Sequence, residues 1–262
     1  MAAETQYTAN TGCVTISTAN SNLDGTGTLG TVLTAASNGT LVKSIIVKAQ
    51  TNTTQGMIRL FVTGGGATEL ISEIEVPAIT KSSVDPSFEI YLEINYALKS
   101  GYVLKAATQN AETFNVIAEG LDWAYYTTSV RPDPTKFIAN TGMTIVSTAN
   151  SNLDGSGTLS TVLTPDSSKK GCNIQSVNIK ATVNTTPGMI RLFIYNGTTN
   201  YLFSEIPVGA VTKSGTAVSY SARKVFGGND YALKATYLLK ASTQVAESFN
   251  VIAEGLDWEY PA

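Results

Sequence analysis

The chain carries the same sequence pattern twice, and this internal repeat constrains its fold more than any other feature. The segment 17–25, Ser-Thr-Ala-Asn-Ser-Asn-Leu-Asp-Gly, recurs at 147–155. The segment 114–123, which begins Phe-Asn-Val-Ile and ends Leu-Asp-Trp, recurs at 249–258. The unit of about 130 residues exceeds the roughly 20 to 50 residues of a solenoid repeat and is typical of a complete domain.

Each copy has its own start, core pattern and end, so we expect each to form a domain. Module 1 comprises residues 1–126 and module 2 comprises residues 137–262. Between them, residues 127–136 contain Pro132 and Pro134 in a polar stretch. Because proline restricts its own backbone and that of the preceding residue, we expect this segment to be a stiff, extended linker.

The composition favours strands over helices. Only 14% of the residues are charged, below the share of about a quarter that is usual for globular domains. Short segments rich in β-branched residues, bounded by Gly, Asn, Ser or Pro, occur about eight times in each module. No long segment has helical periodicity. The sequence therefore predicts an all-β chain of two tandem antiparallel β-sandwich domains, jelly-roll-like in architecture.

Comparison of the two modules predicts which face of one strand lies in the core. Ile45, Val47 and Ala49 are apolar at alternate positions, and their equivalents in module 2 are apolar as well. We expect this face to point into the core, because side chains alternate between the two faces of a strand. Ile46 lies between them and is matched by Asn178, so we expect the opposite face to meet water.

The residue inventory removes the common catalytic and cofactor sites. Histidine is absent, which excludes triads and metal sites that depend on imidazole. Cys13 and Cys172 occupy non-equivalent positions, and we expect both to be small buried thiols. Residues 25–30 match Gly-x-Gly-x-x-Gly, but a predicted strand follows where a dinucleotide fingerprint needs a helix. We expect no catalytic residue, no cofactor and no enzyme activity.

One loop has part of the pattern of a calcium site. Asn20, Asn22 and Asp24 have the spacing of the first half of an EF-hand loop, and the pattern recurs in module 2. The twelfth position is Thr31, where an EF-hand needs a bidentate glutamate. Since one carboxylate holds Ca²⁺ poorly, we expect an Asx-stabilised turn between strands and no metal site.

Two carboxylates precede the tryptophan at the end of each module. Glu119 and Asp122 could flank a glycosidic bond if they lay about 5–10 Å apart, but nothing in the sequence places a saccharide there. A structural role is the favoured alternative, because ion pairs also hold folds together. We therefore expect Arg59 to pair with Glu119 and Arg191 to pair with Glu254.

The end of each module is also rich in aromatic residues. These are Trp123, Tyr125 and Tyr126 in module 1 and Trp258 and Tyr260 in module 2. Such side chains stack on sugars, fill subunit interfaces or close the rim of a sandwich as an apolar plug. The sequence favours the plug and leaves the glycan and interface roles open.

Charge and hydropathy exclude two classes of partner. The formal net charge is −3 and the isoelectric point is near 5.1, so no basic face is expected to neutralise phosphates. No apolar run approaches the roughly 20 residues that cross a bilayer. The N-terminus has no signal-peptide pattern. We expect neither nucleic acid nor membrane as a partner.

Several motifs, taken together and in order, resemble a known class of protein. They are the Gly-Met-Ile-Arg-Leu-Phe strand at 56–61, the Ser-Glu-Ile segment at 72–74, the Tyr-Ala-Leu-Lys segment at 96–99 and the ending at 112–123, each repeated in module 2. This combination resembles small structural proteins encoded among the virion genes of tailed bacteriophages. The resemblance covers nearly all of both modules and implies a non-enzymatic virion component made in the bacterial cytoplasm.

Two hypotheses of different class follow from the resemblance. The first is a capsid decoration or cement protein on the phage head, bound to the major capsid protein or another virion protein. As a homotrimer it would present six similar modules, matching a pseudo-hexagonal surface. The alternative is a tail- or fibre-associated binding module that recognises a host-surface glycan through Trp123 and Trp258.

Overall fold

A computed structural model of the chain describes residues 5–125, 135–214, 218–226 and 231–260. The regular structure of these residues is β-strand, and they contain no helix that could cross a membrane. The strands are β1 (Thr5–Ile16), β2 (Gly30–Thr34), β3 (Thr40–Ala49), β4 (Gly56–Gly64), β5 (Ala67–Val76), β6 (Glu89–Leu98), β7 (Val103–Thr108), β8 (Phe114–Tyr125), β9 (Lys136–Val146), β10 (Ser160–Leu163), β11 (Gly171–Ala181), β12 (Gly188–Tyr195), β13 (Asn200–Val208), β14 (Ser221–Val225), β15 (Tyr231–Leu233), β16 (Leu238–Thr243) and β17 (Phe249–Glu259).

The strand order is that of a jelly roll. Module 1 has one sheet in the order β1-β8-β3-β6 and another in the order β2-β7-β4-β5. Module 2 repeats this with β9-β17-β11-β14 and β10-β16-β12-β13, and β15 also pairs with β11. Every pairing between these strands is antiparallel. Two four-stranded antiparallel sheets interleaved in this way form a jelly roll, so the predicted fold class is confirmed.

The core of module 1 lies between its two sheets. Ile45, Val47 and Ala49 of β3 are fully buried, and they belong to one apolar cluster with Ile58 and Leu60 of β4. The predicted core face of β3 is therefore confirmed. Burial of each large aliphatic side chain contributes about 1.5–3 kcal/mol, so alternate apolar residues on facing strands hold the sandwich closed.

Both modules require glycine at one close approach between sheets. A Cβ atom on Gly12 of β1 would lie 2.1 Å from the carbonyl oxygen of Val32, and a Cβ atom on Gly142 of β9 would lie 2.0 Å from that of Val162. No side chain fits at such distances. The glycine of the repeated Ala-Asn-Thr-Gly motif therefore allows the first strand of each module to pass directly over the second.

The two modules pack directly against each other. The outer face of the β1-β8-β3-β6 sheet, opposite the core of module 1, lies against β13 and β15 of module 2. Ile46 and Ile117 of this face join the apolar cluster of module 2. Ile46 is only 4% exposed, so the expectation that its face meets water is wrong. Its equivalent Asn178 indicated a solvated face because module 1 does not cover the corresponding face of module 2.

Candidate functional site

Buried charges cluster where the modules meet. We call this contact, between the outer face of β1, β8 and β3 and the edge formed by β13 and β15, the inter-module interface. The Nζ atom of the fully buried Lys48 lies 3.0 Å from Glu205 Oε2 and 3.4 Å from Glu89 Oε2. Lys48 also donates to the carbonyl oxygen of Ser87 at 3.1 Å, and Arg191 pairs with Glu205 at 3.0 Å. Such multiple partners offset the desolvation of a buried cation.

The carboxyl group of Glu205 stays ionised in this cluster. Burial raises its pKa, but Lys48 and the backbone N–H of Ser87, which donates to it at 2.9 Å, act in the opposite direction. Arg191 adds to their effect, and the pKa lies below the usual value for glutamate. At neutral pH the interface therefore contains a carboxylate held between two cations, one from each module.

Polar groups of β15 are also satisfied across the interface. Glu119 of β8 accepts a hydrogen bond from the backbone N–H of Ala232 at 3.0 Å and forms an ion pair with Lys43 at 2.9 Å. The hydroxyl of Thr11 donates to the carbonyl oxygen of Ala232 at 3.3 Å and accepts from the N–H of Lys234 at 2.9 Å. These bonds satisfy backbone N–H and C=O groups that would have no protein hydrogen-bond partner on an exposed strand edge.

The apolar part of the interface is aromatic on the side of module 2. The ring of Phe203 lies 4.8 Å from that of Phe226 and 4.9 Å from that of Tyr231, between centroids. Ile46 and Ile117 of module 1 belong to the same cluster. The contact thus combines packed aromatic rings and aliphatic side chains with a buried ion cluster, whereas contacts between domains of one chain are commonly more polar.

The predicted arginine pairs have other partners. Arg59 pairs with Glu73 at 2.9 Å and Arg191 pairs with Glu205 at 3.0 Å. Each arginine lies directly opposite its glutamate in the antiparallel ladder, β4 with β5 and β12 with β13. The signal that could have found them is the repeated Ser-Glu-Ile segment on the strand after each arginine, but the register between strands is not readable from the sequence.

Glu119 and Glu254 lie on the outer faces of the other sheets, away from the arginines predicted to pair with them. Glu119 is paired with Lys43 inside the inter-module interface, whereas Glu254 is paired with Arg223 at 3.2 Å on the exposed face of module 2. The predicted pairing of these two glutamates with Arg59 and Arg191 is therefore wrong, although all four residues do form ion pairs.

The repeated asparagine loop is an Asx turn. Asn20 accepts from the backbone N–H of Asn22, and Asp24 accepts from both the N–H and the hydroxyl of Thr26. The Asn20 amide donates to the carbonyl oxygens of Thr26 and Thr28. The hydroxyl and N–H of Thr26 lower the pKa of Asp24. The predicted turn is confirmed, and the same bonds recur in module 2.

Among the described residues, no group of three or more His, Cys, Asp or Glu side chains could hold a metal ion. The two carboxylates before each tryptophan also do not converge. Glu119 faces module 2, whereas Asp122 accepts from Asn10 and Thr40 at the rim of module 1. Alternation along β8 thus puts the two carboxylates on opposite faces, which does not suit a pair acting on one glycosidic bond.

The predicted aromatic residues divide between two environments. Trp258 is buried against module 1, where its Nε1 donates to the carbonyl oxygen of Tyr7 at 3.2 Å. The hydroxyl of Tyr260 accepts from the N–H of Tyr7 at 2.7 Å. Trp123, the equivalent of Trp258, is half-buried and lines a pocket of about 370 Å³ at the end of module 1. Tyr126 and the side chain of Tyr125 lie outside the described residues.

Both cysteines are free thiols shielded from solvent. Cys172 is fully buried, and Cys13 is partly buried against the cluster at the inter-module interface. Burial raises the pKa of each thiol well above its usual range. Neither thiol is therefore activated as a nucleophile at neutral pH.

The comparisons with known proteins give structural likeness only. No protein-family model matches the chain, and no curated protein matches it. Among solved structures, the major capsid protein P2 of bacteriophage PM2 is 12% identical, with a TM-score of 0.21, over 95% of this chain and 98% of that one. The tandem CBM22 domains of Paenibacillus barcinonensis Xyn10C are 12% identical, with a TM-score of 0.25, over 97% and 92%. PNGase F of Flavobacterium meningosepticum is 12% identical, with a TM-score of 0.26, over 92% and 95%.

These three neighbours are a virus capsid protein, an enzyme and a pair of carbohydrate-binding modules. At such TM-scores they carry no argument about the function of this chain. The jelly-roll fold is shown by the strand order of the two modules.

Proposed function

We propose that the chain is a non-enzymatic structural protein of a tailed-bacteriophage virion, bound to the outer surface of the head as a decoration or cement protein. Its partners are the major capsid protein, or another virion protein, and further copies of itself as a homotrimer. Its location is the virion, reached from the bacterial cytoplasm in which it is made. The motif combination described above supports the virion role.

One structural observation carries the decoration role, namely the buried contact between Lys48 and Glu205. Both side chains are buried and each belongs to a different module, so the pair favours one fixed arrangement of the two modules. A fixed arrangement strengthens the binding of a protein that contacts a repetitive lattice at two points. Once the first module is bound, the binding of the second is intramolecular. Effective concentrations in the millimolar range then strengthen binding by roughly 10²–10⁴ over one module.

The test is an add-back experiment with phage heads that lack the protein. Purified full-length chain is added over a range of concentrations, and occupancy is measured after sedimentation of the heads. We expect saturable binding with a fixed number of copies per head. Binding to purified tails with none to heads would overturn the decoration role.

A second candidate function is a tail- or fibre-associated module that recognises a glycan. The observation in its favour is Trp123, a half-buried indole beside Asn38, Lys99 and Ser100 in an open pocket. An aromatic face next to polar groups is the usual form of a sugar-binding surface. Trp258 also lines a pocket, of about 210 Å³, but it is only 4% exposed. Glycan-array binding that is lost in Trp123→Ala would favour this function, and an array without signal would count against it.

A further inference from the structure

We infer that copies of the chain associate head to tail, by repeating between chains the contact that joins the two modules within a chain. The edge of module 1 in one copy, at β5 and β6, would dock on the outer face of the β9-β17-β11-β14 sheet in the next copy. This extends the proposed function by naming the surface of self-association. It is tested on purified protein alone, so the two proposals can fail separately.

Each of these two surfaces is equivalent to one side of the inter-module interface, but neither is covered within the chain. Met143 and Ile145 on the outer face of module 2 are 70% and 61% exposed, and the equivalent of Met143 in module 1 is Cys13, which is partly buried against the interface cluster. On the edge of module 1, Tyr96 is 38% exposed, whereas its equivalent Tyr231 in the interface is 1% exposed. Module 2 thus lacks a neighbour on its outer face, and module 1 lacks a neighbour on its edge.

The ion pair that joins the modules has a counterpart on these free surfaces. Lys48 and Glu205, which pair across the interface, correspond to Lys180 and Glu73. Lys180 is exposed and its Nζ donates to the carbonyl oxygen of Ser219. The side chain of Glu73 is 40% exposed, whereas that of Glu205 is 3% exposed. A lysine on the face and a glutamate on the edge are therefore available between copies in the positions that they occupy within the chain.

The hydrogen-bonding residues of the interface are also repeated. Thr11, Asn115 and Glu119 on the covered face of module 1 bond to the backbone of Ala232, Lys234 and Leu202 on the edge of module 2. On the free surfaces, the same residue types stand at every equivalent position. They are Thr141, Asn250 and Glu254 on the face and Ala97, Lys99 and Leu70 on the edge.

The differences between the two contacts predict that association between chains is weaker. Ile46 is replaced by Asn178 on the free face, and Phe203 is replaced by Ile71 on the free edge, so less apolar surface is buried. Tyr91 and Tyr201 of the interface cluster are replaced by Arg223 and Glu69, which carry opposite charges. The contact between copies is therefore more polar than the inter-module interface, and its strength should depend on salt. We expect such a weak contact to form only at high local concentration.

A second copy of the chain is the occupant that fits both surfaces at once. The contact is heterologous, with a face on one partner and an edge on the other. After two copies dock, one still has an uncovered edge and the other an uncovered face. Heterologous contacts close into rings or continue as filaments. A ring of three copies would place six modules in series, in agreement with the proposed homotrimer.

The first experiment is sedimentation velocity of the purified full chain over a wide concentration range. We expect reversible association in the wild type. Lys180→Glu and Met143→Arg, both on the exposed face of module 2, should weaken the association constant by at least about tenfold, the effect of removing an interface hot spot. Lys213→Glu is the matched control, because Lys213 is also exposed and donates to a backbone carbonyl.

The second experiment does not depend on these charge changes. Within the chain, the backbone N–H of Ala9 donates to the carbonyl oxygen of Lys170 at 2.8 Å, and the equivalent pair between copies is Ala139 and Asn38. With Ala139→Cys and Asn38→Cys in one chain, a short bismaleimide reagent should join chains into a ladder on a denaturing gel. Thr51→Cys in place of Asn38→Cys is the control, because Thr51 lies at the opposite end of β3.

Two results would overturn the proposal. One is a wild-type chain that stays monomeric at every concentration and gives no more cross-linked product than the Thr51 control. The other is association that Lys180→Glu and Met143→Arg leave unchanged, since copies would then meet through a different surface. Neither result bears on whether the chain binds phage heads.

Discussion

Lys48 of module 1 and Glu205 of module 2 form an ion pair, 3.0 Å between Nζ and Oε2, with both side chains almost completely buried. The pair joins two jelly rolls that share most of their sequence motifs. Lys48 also pairs with Glu89 of its own module and Glu205 with Arg191 of its own module, so the cross-module pair joins two ion pairs into one buried cluster and favours this arrangement of the modules.

Substitution of Glu205 by Gln should therefore destabilise the whole chain. We expect a loss of about 3 kcal/mol in the free energy of unfolding, because the buried Arg191 then loses its carboxylate partner and the buried Lys48 keeps only Glu89 and the carbonyl oxygen of Ser87. The measurement is denaturant unfolding followed by circular dichroism. Glu75→Gln, at an exposed position on β5, is the control and should change stability by less than about 0.5 kcal/mol. Equal effects of the two substitutions would show that the ion pair does not join the modules.

The same residue predicts how stability depends on pH. The pKa of Glu205 is lower in the folded chain than in the unfolded chain, so the unfolded chain binds more protons as the pH falls. Its stabilising contribution is thus fully present above the unfolded value of about 4.3 and is lost as the pH falls through the folded value. The difference in unfolding free energy between wild type and Glu205→Gln should shrink from pH 7 to pH 3. A difference that grows as the pH falls over this range would show that folding raises the pKa of Glu205.

Ile46 tests the burial of the outer face of module 1. Ile46→Ala should cost about 2–5 kcal/mol, as for a buried aliphatic residue in a core. Ile145→Ala, on the exposed outer face of module 2, is the matched control and should cost less than about 0.5 kcal/mol. Denaturant unfolding measures both. A small effect of Ile46→Ala would mean that the modules do not stay packed in solution.

The asparagine loops predict that calcium does not stabilise the protein. The side-chain oxygens of Asn20 and Asp24 already accept hydrogen bonds within the turn, and one carboxylate per loop binds Ca²⁺ poorly. We expect millimolar Ca²⁺ to leave the melting temperature unchanged. A rise of several degrees that disappears in the double variant Asp24→Ala, Asp154→Ala would contradict this expectation.

The fold class was predictable because the repeat gives the same pattern twice. Apolar residues that alternate in both modules, such as Ile45 and Val47, identified the core face without any knowledge of the strand order. The Asx turn followed from the spacing of Asn20 and Asp24. These features depend on neighbours along the chain, and the sequence contains that information directly.

The inter-module interface was not predictable, because equivalent residues of the two modules lie in different environments. Trp123 and Trp258 end the same motif, yet one is half-exposed and the other is buried between modules. Ile46 was expected to meet water for the same reason, since its equivalent Asn178 is uncovered. The partners of Arg59 and Arg191 depend on the register of neighbouring strands, which the sequence alone does not reveal.

The most direct test of the proposed function is a cryo-electron microscopy map of the phage particle that carries this chain. We predict density for pairs of joined jelly rolls on the outer surface of the head, at positions repeated by the capsid lattice and fitted by the two modules as one rigid unit. Density for the chain confined to the tail or its fibres, with a bare head surface, would contradict the decoration role.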